Sequence, residues 1–300
     1  MATLSLNLIL GYTGQASLAH AGFFGIGAYG VAMITKAGYS FWLALPIAAL
    51  ISAFIGLLIG MLTLRTRGHY FAISTLCFGV IVFVVSGSWI DFTGGYTGLL
   101  GIPRPTPIPV PFLGDITFVS QVSQYYLVIG FLLLTLFVKY RIVYSSQGLS
   151  FMAVRNNEVL AEAVGINTFA TKLLSFITAD FMVAVAGGIY AALMGSISPT
   201  SASFNLTFFW LAYLIIGGIA TLAGPIIGAF AVSFLVEYMY ALGEYRLMLF
   251  GLVLILAIIF FPRGIMGIVE GIRVKIQDYY SRRGVGVEDV AENRKIDETL

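Results

Sequence analysis

Charge is what this sequence has least of. Only 10% of its 300 residues are Asp, Glu, Lys or Arg, against roughly 25% in a soluble domain. Mean hydropathy is +0.96 and 59% of residues are hydrophobic. That excludes a soluble globular class and leaves a polytopic membrane protein. What charge there is collects at one end: of the 30 charged residues, 14 fall between Pro262 and Leu300. Cysteine is nearly absent too. Cys77 stands alone, so neither an intrachain disulfide nor a cysteine zinc cluster can form. The two histidines, His20 and His69, are too few for a His-rich metal site. No GxxxxGK[ST], HExxH or GxSxG stretch occurs, which argues against a phosphate loop, a metalloprotease site and a nucleophile elbow in this chain. No catalytic residue, metal site or cofactor is expected. No basic segment precedes the first apolar run "MATLSLNLIL", so no cleavable signal peptide is expected; the start reads as a late or trimmed first helix.

What is present is long apolar runs. A spanning helix needs about 20 such residues. Phe41–Leu64, Tyr70–Ile90, Gln124–Tyr140 and Lys172–Met194 qualify, and Leu247–Phe261 is shorter but wholly apolar. Two further regions, Ala2–Thr35 and Phe204–Tyr240, are apolar but cut by glycine. The positive-inside rule places Arg65 and Arg67 in the cytoplasm. It does the same for a loop taken from Lys139 to Lys172, which carries Lys139, Arg141, Arg155 and Lys172, and for the tail after Phe261. Asp91–Ser123 and the uncharged Gly195–Asn205 then fall outside. Phe204–Tyr240 must therefore cross twice or re-enter, each half about 14–16 residues, or roughly 21–24 Å as helix. Non-helical backbone at membrane depth survives only where protein or a wet cavity satisfies its polar groups. Paired short Gly/Pro-interrupted segments point to a pathway through the bilayer. "SLAHAGFFGIGA" (17–28) can also be set against "TLAGPIIGAF" (221–230), which suggests an internal repeat. Close helix packing through small residues is the competing explanation.

The predicted fold is thus all-α, with about seven to nine transmembrane or half-membrane helices. Inside the cytoplasmic loop 141–172, residues 145–172 predict one amphipathic helix of about 15 residues. Leu149, Met152, Ala153, Leu160, Ala163 and Val164 share a face, Arg155 and Glu158 pair at i,i+3, and Gly165 stops the helix. It reads either as a membrane-surface helix or as a docking helix for a cytoplasmic partner. The loop 91–123, rich in Gly and Pro, is an extracytoplasmic connector or partner surface. The tail 281–300 is polar and of mixed charge. Of the ionisable groups within apolar segments, Asp180 should face the bundle interior, as a hydrogen-bonded structural acid or a relay, and Glu237 should sit at the interface.

Six stretches carry a resemblance: "GYTGQASLAHAGFFGIGAYG", "RTRGHYFAISTLCFG", "TGGYTGLLGIP", "AVRNNEVLAEAVGIN", "GGIATLAGPIIGA" and "FFPRGIMG". In this order and spacing, from Leu10 to Gly267, they resemble the permease subunits of bacterial-type ABC importers of the branched-chain (Leu/Ile/Val) amino acid family. Relatives usually carry one more helix upstream of "GYTGQ". Many have an acidic residue where Val80 stands, and alanines where Val159 and Leu160 stand.

The resemblance implies a permease domain over 1–262 and a cytoplasmic tail over 263–300. It implies a second related permease, two cytoplasmic ATPase subunits using ATP and Mg, an extracytoplasmic binding protein, and the lipid of a prokaryotic inner membrane; nucleic acid has no part. Arg155, Glu158, Ala161, Glu162 and Gly165 fall in the loop that docks on the ATPase. Gly11, Tyr12, Gly14, Gln15, His20 and Gly22 in the first broken region, with Gly217, Gly218, Thr221, Gly224 and Pro225 in the second, are expected to line a translocation path. Permeases for urea and short amides, or for another amino acid, share the pattern. A stand-alone ion-coupled transporter using Asp180 or Glu237, or a non-transporting scaffold, are the readings from other classes.

Overall fold

The computed structural model describes residues 1–66, 68–110, 114–239, 245–260 and 264–267. Arg67, the Phe261–Arg263 part of "FFPRGIMG" and the tail from residue 268 onward lie outside them.

Within lipid every backbone polar group must be satisfied by the protein itself, and a helix does this within one segment. Four helices are long and apolar enough to span: α3 (Phe41–Thr63), α4 (His69–Ser88), α6 (Gln121–Val143) and α9 (Thr168–Met194). They coincide with the four strongest apolar runs. Three of them, α3, α6 and α9, start at side chains that accept orphan backbone donors, whereas α4 follows Gly68 with no side-chain cap. Ser40 accepts from Trp42 N at 3.3 Å, Ser120 from Ser123 N at 3.2 Å, and Asn167 from Ala170 N at 2.9 Å. The shorter helices are α1 (Ala2–Leu6), α2 (His20–Lys36), α5 (Ile90–Thr93), α7 (Ser146–Asn156), α8 (Glu158–Ala163), α10 (Phe204–Gly217), α11 (Gly224–Tyr238) and α12 (Arg246–Phe260). The chain is a multi-pass helical membrane protein.

Helices α2, α3 and α9 form the centre, and small residues let them close. A Cβ placed on Gly187 would meet the carbonyl of Phe24, and one on Gly27 the backbone of Ala184. Around this seam, Phe23, Phe176, Val183 and Leu214 pack into one buried cluster with Leu6 and Ile9 of the N-terminal segment. The spans alternate in direction, so the connections gather at two ends. At one end, β1 (Leu99–Leu100) pairs antiparallel with β4 (Ser196–Ile197). Beside it Trp42 Nε1 donates to the Thr106 carbonyl at 3.0 Å, and β2 (Ile108–Val110) pairs with β3 (Gly114–Ile116). At the other end lie Thr66, His69 and the α7–α8 segment, with Arg155 and Lys172. This basic end is the one the sequence assigns to the cytoplasm.

The sequence reading counts Lys139 and Lys172 both at the ends of the runs Gln124–Tyr140 and Lys172–Met194 and in the cytoplasmic loop between them, and the structure places both within helices. Lys139 is inside α6 and Lys172 inside α9, and both are buried. A lysine close to a helix end reads as a loop residue when only composition is counted.

Candidate functional site

The first broken region opens with α1 running into a π-helical turn, Asn7–Tyr12. Such turns leave the α register and mark departures from a plain helix. The chain then unwinds from Thr13 to Ala19 before α2 begins. Hydroxyl groups from three other helices hold the unwound part and the first turn of α2. Thr75 Oγ1 accepts from Leu18 N at 3.1 Å, Thr207 Oγ1 accepts from Ala21 N at 2.9 Å, and Thr13 Oγ1 donates to Ser175 Oγ at 2.7 Å. Protein side chains thus do at membrane depth what water does elsewhere.

The second broken region is an antiparallel hairpin of α10 and α11. Each arm has 14 or 15 residues, about 21–23 Å of helix. Glycines press the arms together: a Cβ on Gly217 would meet the Gly224 carbonyl, and one on Gly228 the Tyr213 carbonyl. The turn between them carries φ of 118° at Gly218 and 61° at Ala220, the only non-glycine with positive φ among the described residues. Thr221 Oγ1 donates to Gly218 O at 2.8 Å and accepts from Gly224 N at 3.0 Å, and Pro225 follows in the first turn of α11. The two regions start their helices alike. Ser17-Leu18-Ala19 precedes α2 and Thr221-Leu222-Ala223 precedes α11, with N-cap dihedrals of −83°, −8° and −88°, −22°.

The structure joins the two breaks directly, through residues the sequence reading passed over. Asn7 Oδ1 accepts from Ala220 N at 2.9 Å, and Asn7 Nδ2 donates to Thr221 O at 2.6 Å. Gly11 is small because of this clasp: a Cβ there would run into Asn7 Oδ1 and Ala220 N. Lys139 Nζ donates to the same Thr221 carbonyl at 3.3 Å and lies 5.5 Å from the centre of the Tyr12 ring. Two sequence signals mark these residues. Asn7 is the one carboxamide in an apolar run, and Lys139 lies a full turn before the end of α6.

The residues proposed for a single path therefore divide into three places. Gly11, Tyr12, Gly217, Gly218, Thr221, Gly224 and Pro225 belong to the junction. His20 and Gly22 lie in the first turn of α2; a Cβ on Gly22 would touch Gly79 and Val82 of α4, and His20 is fully buried with no hydrogen-bond partner among the described residues. Gly14 and Gln15 sit at the basic end, in a cleft of about 440 Å³ shared with Thr66, His69, Arg155, Glu158 and Lys172. Gly14, at φ 75°, lies against the Arg155 side chain.

The amphipathic segment also differs from its sequence reading. It forms two helices, α7 and α8, divided at Asn157, which caps α8 by accepting from Leu160 N at 3.1 Å. The division removes the continuous i,i+3 spacing, so Arg155 and Glu158 do not pair. Glu158 instead binds Lys172 at 2.5 Å. Nor do the predicted apolar residues bury together. Gly148, Phe151, Val154 and Ala161 are buried, whereas Leu149, Leu160 and Val164 are 67%, 64% and 77% exposed. Gly165 stops α8 as expected. Its φ is 89°, and Gly165 N→Glu162 O and Ile166 N→Ala161 O, at 2.9 and 3.0 Å, complete a Schellman end. Glu162 also accepts from Thr168 Oγ1 at 2.7 Å.

Asp180 is fully buried against Gly56, as cost grounds require, but among the described residues its carboxyl has no hydrogen-bond partner. Glu237 is exposed near the end of α11.

A multi-pass helical bundle with a broken-helix junction and a helical pair exposed at its basic end is the architecture of a transport permease. Residues 1–258 match the model of the family described as branched-chain amino acid transport system / permease component; the chain belongs to that family. It is 32% identical over 281 residues to the high-affinity branched-chain amino acid transport system permease protein LivM of Salmonella typhimurium, and equally to LivM of Escherichia coli. Those alignments cover 88% of this chain and 66% of LivM, so the chain spans about two thirds of these relatives. The probable branched-chain amino acid transport permease protein LivH of Methanocaldococcus jannaschii is 24% identical over 88% of both chains. The autoinducer 2 import system permease protein LsrC of Escherichia coli is 27% identical over 66% of this chain and 54% of its own length. No solved structure matches the chain.

Proposed function

We propose that this chain is a membrane-spanning permease subunit of an ATP-driven importer that carries branched-chain amino acids across a prokaryotic inner membrane. Residues 1–262 are its permease domain and 263–300 its cytoplasmic tail. It works with a second related permease, two cytoplasmic ATPase subunits that bind ATP and Mg, and an extracytoplasmic binding protein. The observation that carries this reading is the family match over residues 1–258. The α7–α8 pair supports the ATPase-docking part: Leu149, Leu160 and Val164 offer apolar surface at the basic end, where a helix can seat in a partner's groove.

Uptake of radiolabelled leucine by cells with and without this chain tests the reading, with urea measured in parallel. Deletion is expected to lower leucine uptake at least tenfold and leave urea unchanged. Loss of urea uptake alone would keep the architecture and replace the cargo. The similarity to LsrC favours a second reading of that kind, in which the same scaffold imports another small polar solute.

A further inference from the structure

We infer that Lys139 and Asn7 form a transmission joint, which ties the position of the α7 docking helix to the turn between α10 and α11. The inference rests on the importer reading above and goes on to name residues that position the pathway.

The chain of contacts is continuous. Phe151 of α7 is fully buried, and it packs with Leu8 and Tyr12 of the first broken region and with Val143 at the end of α6. The Lys139 ammonium lies over the Tyr12 ring, where a cation and an aromatic face attract. One turn of helix separates Lys139 from Val143. Lys139 and Asn7 then converge on one acceptor, the Thr221 carbonyl. That carbonyl sits in a turn with two positive-φ residues, a backbone shape that persists only while its surroundings hold it. A fully buried lysine is expensive, and no carboxylate among the described residues pairs with it. Its hydrogen bond is to the turn alone. A shift of α7 against α6 and the Asn7–Tyr12 turn must therefore move both donors relative to Thr221. Once they leave, the positive-φ turn loses two of the groups that hold it; an element biased in this way from one end is what energetic coupling requires.

The test uses the purified complete importer in liposomes. It measures amino acid transported per ATP hydrolysed, because a merely structural defect lowers both together. In Lys139→Met, ATP hydrolysis is expected to stay within about twofold of the wild type, while transport per ATP falls tenfold or more. Lys139→Gln keeps a donor without the charge and should lose threefold or more. Asn7→Ser combined with Lys139→Met should lose less than the product of the two single losses, since the pair shares the Thr221 carbonyl while Asn7 also holds Ala220 N. Unchanged transport per ATP in either assembled Lys139 variant overturns the joint.

A second measurement needs no variant at Lys139. Ile219, 38% exposed within the turn, is replaced by cysteine in a Cys77→Ser background. Its maleimide labelling rate should differ at least fivefold between ATP-bound and nucleotide-free complexes, and equal rates overturn the joint. If the wild-type complex moves none of the amino acids offered, the cargo reading fails while the labelling result still decides the joint.

Discussion

At the scale of single residues, the glycines of the junction act through what they exclude. Gly224 shows how. A side chain there would collide with Thr221 Oγ1 and with the carbonyls of Gly217 and Gly218. Gly224→Leu should therefore separate α10 from α11, an overpacking cost of about 3 kcal/mol. It should abolish uptake while leaving the helical content of the chain intact, as circular dichroism and thermal unfolding in detergent would record. Gly130→Leu is the control: a Cβ at Gly130 meets nothing within 4 Å, and the variant should transport normally. Asn7 and Lys139 carry the same lesson in the opposite sense, because their polar atoms bond the 220–221 backbone where an apolar side chain would fit the composition better.

At the scale of elements, α8 is held by three devices: the Asn157 cap, the Glu158–Lys172 pair and the Gly165 end. Glu158→Lys removes the pair and leaves Lys172, with 8% of its side chain exposed, facing a second cation. The loss should be about 2 kcal/mol, reduced from the value of a fully buried pair because Glu158 is partly open to water. Co-purification of the ATPase subunits should drop at least fivefold; full retention with normal ATP hydrolysis would exclude a docking role for α8. Much of this level was legible in the sequence. Four spans and the short α12 follow from apolar run length, the two interrupted regions from glycine, and the end of α8 from Gly165. The division at Asn157 was not legible, since asparagine is tolerated inside a helix and its capping bond becomes visible only with the backbone. The junction was not legible either. Nothing in local sequence pairs Asn7 with residue 220, because that bond is decided by how α1, α6 and α10 pack.

At the scale of the whole molecule, the connections segregate to two ends, and this can be read from the two sides of a membrane. In a Cys77→Ser background, Thr200→Cys should react with an impermeant maleimide applied to one face and Gln147→Cys only with reagent applied to the other; both residues are exposed. Labelling from the same face would overturn the alternation of spans. The molecule is also ordered in time. Asn7 and Ala220 are 213 positions apart, so a ribosome delivers the amide long before it delivers the turn that amide will clasp. Through that interval the early segment carries an unsatisfied carboxamide in an apolar setting. A polypeptide that stops before Gly218 lacks both groups that satisfy Asn7, the Ala220 N–H and the Thr221 carbonyl, so the first broken region is completed only by the last third of the chain.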